Sequence, residues 1–202
     1  MTSNGEKRAT LSRKALFFFI VYFLFSPIGA QNMSDVISRM PDTVVPYLNE
    51  NMKLDLIDFI HSGMKAEVTN NLGGKSVLQK LSDHYSLWQL NEAATMEMLL
   101  LDAVEPIDST SNASKIICVV KTWGTDIQES SISFYSMEWQ SLHAQQYIQL
   151  PDEACKMSLS EEKSTLTLSP ECQLDYPTNE EQKVVTKPLI VYNWNGKMFK
   201  KN

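Results

Sequence analysis

Apolar positions along the chain follow distinct rhythms. In "NENMKLDLIDFIHSGMK" (49–65), Leu56, Ile60 and Met64 recur every fourth residue, with Met52 a turn earlier and Ile57 and His61 beside them. That period belongs to an amphipathic helix. Asn49 or Asn51 can cap its start and Gly63 suits its end, so a helix is predicted over 51–63. Before it, residues 31–50 carry Pro41 and Pro46, which restrict helical pieces to short ones. After it come short runs: "SVLQKLSDHYSLWQLN", "ATMEMLLLDAV", "KIICVVKTWG" and "SSISFYSMEW", separated by Asn, Asp, Ser and Gly. "TMEMLLL" and "IICVV" are apolar on both faces, as expected of central strands. "STLTLS" alternates, placing Leu166 and Leu168 on one side and Thr165 and Thr167 on a wet side. In the tail "PLIVYNWNGKMFKK", Asn195-Gly196 favours a type I′ turn between strands, with Ile190, Tyr192 and Trp194 on one face and Leu189 and Val191 on the other.

A helix or helix pair followed by a succession of strands predicts an α+β fold, an N-terminal helix or helix pair packed on an antiparallel β-sheet. Alternating βα units are absent, which disfavours a doubly wound nucleotide-binding fold. Residues 105–114 read as a polar loop, and residues 170–188, rich in Pro and Glu, as a long surface connection.

One apolar run has a different meaning. Ala15 to Phe25 is unbroken, follows Lys7, Arg8, Arg13 and Lys14, and is broken by Ser26-Pro27 before Ile28-Gly29-Ala30. This is the layout of a secretory signal peptide over 1–30, with cleavage between Ala30 and Gln31. The run is about half of the roughly 20 residues a spanning helix needs, although an uncleaved anchor is the alternative. The mature chain is then one domain over 31–202, exported to the periplasm of a Gram-negative envelope or secreted, without stable membrane insertion after processing. Removing the leader's four basic and one acidic residues from 18 and 24 leaves 14 and 23, a net charge of −9. Such a surface repels phosphate backbones, so nucleic acid is not an expected partner. The basic trio Lys197, Lys200 and Lys201 reads as a solubilising tail.

Cys118 lies in the apolar run "KIICVVKTW" and reads as a small buried hydrophobe. Export permits disulfides. A bridge between Cys155 and Cys172 would close a loop and contribute about 3 kcal/mol, but spacing alone cannot show that the two side chains face each other.

Candidate chemistry is sparse. Gly74-Lys75-Ser76 matches the end of the phosphate loop G-x-x-x-x-G-K-[ST], which needs a strand before it and a helix after it. Here Thr69 stands where the early glycine should be, a helix is predicted before and extended chain after, so "NNLGGKS" reads as a turn and no nucleotide is expected. Asp58 and His61 are helical neighbours that could act as orienter and base of a hydrolase, but Ser62 points about 100° away from His61. His84 beside Asp83 sits at a predicted turn, and His143 has no acidic neighbour. Three scattered histidines do not make a zinc site, so neither metal nor cofactor is expected. The pairs at 161–162 and 180–181 read as solubilising carboxylates. Trp88, Trp123, Trp139 and Trp194 could line a sugar- or peptide-binding face or, as strand residues more often do, fill core.

Two segments, "MPDTVVPYLNENMKLDLIDF" (40–59) and "MKAEVTNNLGGKS" (64–76), with the tail "YNWNGKMFKK", resemble an uncharacterised family of exported proteins from Bacteroidales, a domain of unknown function. The likeness runs from about residue 34 to the C-terminus, and "KAEVTNNLGGKS" is its most specific part. The resemblance implies a Gram-negative host, export and an α+β fold. It supplies no catalytic residues and no support for the Cys155–Cys172 bridge. The expectation is an exported, non-enzymatic envelope protein, a protein- or glycan-binding module. The alternative is a small periplasmic hydrolase using His61 or His84, and an assembly subunit or secretion-linked chaperone is a third reading.

Overall fold

Two asparagines set the starts of the helices. Asn32 Oδ1 accepts the amide of Asp35 at 2.9 Å and opens α1, Met33–Ser38; Asn49 Oδ1 accepts the amide of Met52 at 3.0 Å and opens α2, Glu50–His61. These side chains satisfy amides that a helix's first turn leaves unbonded. The structure, a computed structural model, describes residues 32–104, 115–151, 155–162, 164–169 and 189–202. The leader with its Ala30–Gln31 junction, the loop 105–114, the segment 170–188 and Cys172 lie outside them.

Seven strands follow as an antiparallel meander with order β1 to β7: β1 Glu67–Thr69, β2 Lys75–Leu81, β3 Tyr85–Asn91, β4 Ala94–Asp102, β5 Lys115–Trp123, β6 Glu129–Tyr135 and β7 Ser141–Leu142. A 3-10 turn, Ala144–Gln146, leads towards a second antiparallel sheet, ordered β11-β10-β9-β8, from β8 Lys156–Ser160, β9 Thr165–Ser169, β10 Ile190–Trp194 and β11 Phe199–Lys201. The expected α+β architecture is present, with the second sheet as an added layer.

Period-2 alternation divides β4 between two cores. Met96, Met98 and Leu100 join α1, α2 and the 40–48 arm on one face, whereas Leu99 and Leu101 meet Leu166, Leu168, Tyr192 and Phe199 of the second sheet on the other. β5 does the same with Ile117 and Val119 against Ile116, Cys118 and Val120. This is why their sequences carry apolar residues on both faces. Leu166 and Leu168 point inward as the alternation of "STLTLS" predicts.

The arm between the helices is irregular yet buried: Met40, Val44, Val45 and Leu48 are core residues. Two lysines hold it. Lys53 Nζ donates to the Met40 carbonyl and pairs with Asp42 at 3.0 Å, and Lys121 Nζ on β5 donates to the Val44 carbonyl.

The tail hairpin forms, but not with the expected type I′ turn. Trp194 pairs with Phe199, closing a four-residue loop in which Gly196 alone has positive φ, at 87°. Asn195 Oδ1 accepts the amides of Lys197 and Met198, at 3.0 and 2.8 Å, and the Gly196 carbonyl accepts the Val104 amide at 2.9 Å. Those bonds favour the wider loop.

Candidate functional site

The candidate histidines end up apart. His61 closes α2 with its Nε2 3.4 Å from Ser34 Oγ of α1, at the surface. Ser62, its sequence neighbour, is instead the helix C-cap, its amide bonded to the Asp58 carbonyl. His84 is exposed in the β2–β3 turn near Glu161, whose carboxyl is pulled below the usual range mainly by the Lys80 ammonium and the Ser82 hydroxyl. Glu161 was expected to be a solvated loop residue; the β8–β9 turn brings it to Lys80 instead, a long-range contact that no local pattern announces. His143 is exposed ahead of the 3-10 turn. Among the described residues no three His, Cys, Asp or Glu side chains cluster as metal ligands would.

A polar corner joins the two sheets. Glu97 of β4 accepts the Tyr85 hydroxyl at 3.1 Å and the Leu159 amide at 2.8 Å, both on Oε2. Ser130 of β6 accepts the Met157 amide at 2.9 Å and lies 2.7 Å from Thr122 Oγ1. Among the described residues β8 has β9 as its only strand neighbour, so these two amides belong to its other edge, which side chains of the first sheet complete. Burial is the largest effect on Glu97 and raises its pKa, against the opposing pull of the Leu159 amide and the Tyr85 hydroxyl. A buried carboxyl beside a phenol is a proton-transfer type of group. Here its described hydrogen bonds go to the protein's own amide and phenol. The Cys118 thiol is fully buried and pushed up by that burial. Cys155 is buried just before β8, and its carbonyl accepts the Ser130 amide at 3.1 Å.

The Gly74-Lys75-Ser76 segment is the β1–β2 hairpin. Asn70 organises it: its Oδ1 accepts the amides of Leu72 and Gly74 at 3.0 and 3.2 Å, and its Nδ2 donates to Ser76 Oγ at 3.0 Å. Lys75 opens a strand rather than a helix and pairs at 2.5 Å with Glu67, which Lys65 also holds. Those two ammonium groups, Lys65 first, draw the Glu67 carboxyl down to about 2. The triad puts charge on the edge strand of the sheet, a common guard against edge-to-edge association.

The four tryptophans separate into two kinds. Trp88 is fully buried with its indole N–H on Ser86 Oγ, Trp139 reaches the Val36 carbonyl at 3.1 Å, and Trp194 reaches the Asp102 carbonyl at 2.7 Å. Trp123, at the end of β5, is 46% exposed, and among the described residues its N–H has no protein acceptor. Strand periodicity could not distinguish it from the others, because its exposure depends on where the helical layer stops.

Residues 25–156 match the model of the family described as "Protein of unknown function (DUF3256)", and the chain belongs to that family. No curated protein matches the chain. Among solved structures it is similar to "Structure of a domain of an uncharacterized protein from Porphyromonas gingivalis W83", with a TM-score of 0.67 at 22% identity over 83% of this chain and 97% of that one. The neighbour comes from the Bacteroidales, and the likeness is one of fold.

Proposed function

We propose that this member of a family of unknown function is an exported, non-enzymatic envelope protein that binds a protein or glycan through the Trp123 end of its central sheet. The observation that carries the reading is Trp123 itself, a large aromatic left 46% exposed on a strand whose residues Ile116 to Val120 fill two cores. Tryptophan dominates binding energy out of proportion to its frequency, because it offers much contact area with little side-chain freedom to lose. The tripartite leader supports export to the periplasm or beyond. No buried side-chain nitrogen or oxygen among the described residues lacks a hydrogen-bond partner.

Affinity capture tests the reading. Tagged protein at native expression in envelope extract is expected to recover one partner that Trp123→Ala loses. Equal recovery by both proteins, or none by either, refutes it. Fractionation is expected to find the chain in periplasm or medium beginning at Gln31. The alternative hydrolase draws on the Ser34–His61 contact, and ester turnover abolished by Ser34→Ala and His61→Ala alike would favour it over binding.

A further inference from the structure

We infer that the Trp123 surface receives a cationic protein segment, an arginine or lysine side chain seated against the indole. The inference rests on the binding reading above and adds the chemistry of the partner. In cross-strand register Trp123 lies between Ala94 of β4 and Glu129 of β6. Ala94 is small, and Glu129 is exposed. Two further exposed carboxylates stand at the same end of the sheet, Glu92 in the β3–β4 turn and Asp126 in the β5–β6 turn. Among the described residues none of these three acids forms an ion pair. The cation two residues back on the same face, Lys121, is half-buried and donates to the Val44 carbonyl. An exposed indole with one carboxylate beside it in register and two more at the same end of the sheet attracts a cation twice, through the ring quadrupole and through the nearby charges, and it disfavours anionic partners.

The backbone beside the indole is tied down. Gly124 has φ 110°, its amide bonds the Ala93 carbonyl at 2.9 Å, and a Cβ there would fall 1.8 Å from the Ile127 carbonyl oxygen. The turn after Trp123 therefore requires glycine at 124, and its bond to Ala93 ties the end of β5 to the β3–β4 turn.

The probe is the peptide acetyl-(Gly-Arg)4-amide, titrated into the full chain and followed by calorimetry. Trp123→Ala is expected to weaken binding about tenfold, as loss of a central aromatic anchor does. Glu129→Gln and Glu92→Gln are each expected to weaken it about two- to threefold, less so in high salt. Asp55→Asn, which removes an exposed carboxylate on α2, is expected to change nothing. Near-ultraviolet circular dichroism confirms that each variant is folded. Binding insensitive to Trp123→Ala, a loss with Asp55→Asn equal to that with Glu129→Gln, or Trp123-dependent binding of a neutral oligosaccharide in place of the peptide overturns the inference. Any of these together with Trp123-dependent capture from envelope extract leaves the binding module standing; failed capture removes both.

Discussion

Glu97 illustrates a carboxyl group used as structure. Its oxygen receives the Leu159 amide from one sheet and the Tyr85 hydroxyl from the other. Glu97→Ala leaves both donors without an acceptor in a largely buried place, and is expected to cost about 2–4 kcal/mol in urea unfolding; Glu97→Gln keeps a carbonyl acceptor and is expected to cost about 1. The two notable glutamates have opposite pH signatures. Burial raises Glu97 in the fold, so its contribution to stability is full below the unfolded carboxyl value and declines as pH rises through the folded one. Glu67 is depressed by Lys65 and Lys75 to about 2, so its contribution is present above the unfolded value of 4.5 and is lost as pH falls toward 2. Acid titration of unfolding should therefore show a shallower loss between those values in Glu67→Gln than in the parent. Because the triad is solvent-exposed, 0.5 M salt should narrow the difference; an unchanged acid limb in the variant refutes the assignment.

At the level of elements, what the sequence disclosed was whatever depends on near neighbours. The 3.6-residue period of 51–63 became α2, runs apolar on both faces became the two-faced strands β4 and β5, and alternation oriented Leu166, Leu168, Ile190, Tyr192 and Trp194. Long-range partners were not legible. Nothing near Lys53 or Lys121 shows that each reaches an arm carbonyl, and nothing near Glu161 shows Lys80. Trp139 is the sharpest case. It sits in the β6–β7 hairpin with φ 62°, a left-handed conformation that a bulky side chain avoids. The same backbone aims its indole N–H at the Val36 carbonyl of α1 and sets the ring 5.2 Å from Tyr135. Relief of strain in Trp139→Gly gains about 1 kcal/mol but loses a buried ring worth about 3–5, so a net loss is expected. Trp139→Phe keeps most of the volume and removes the hydrogen bond, for about 1–2 kcal/mol. Its diagnostic is local: hydrogen exchange should accelerate at the α1 amides while the β4–β5 amides remain protected. Uniform acceleration across both would mean that Trp139 supports the whole fold rather than the docking of α1.

For the whole molecule, the consequence of two cores is set by the strands they share. Met98 belongs to the helix-side core and Leu99, the next residue, to the core between the sheets, and both are fully buried. A strand cannot lose its hydrogen bonds on behalf of one face alone, since opening β4 or β5 exposes both. Each of Met98→Ala and Leu99→Ala is expected to cost about 2–5 kcal/mol. More informative is the form of the transition. Trp88 and Trp139 report on the helix-side core, and Trp194 packs on the inter-sheet core. If the shared strands couple the layers, tryptophan emission and far-ultraviolet circular dichroism should trace one coincident transition in the parent, shifted in parallel by either substitution. A layer held only by its own contacts would behave otherwise: Leu99→Ala would release the second sheet, and Trp194, at lower denaturant, leaving Trp88 buried until a second step. The clamps at Glu97 and Ser130 favour the coincident outcome, because detaching the second sheet would also strip the edge amides of Met157 and Leu159 of their acceptors.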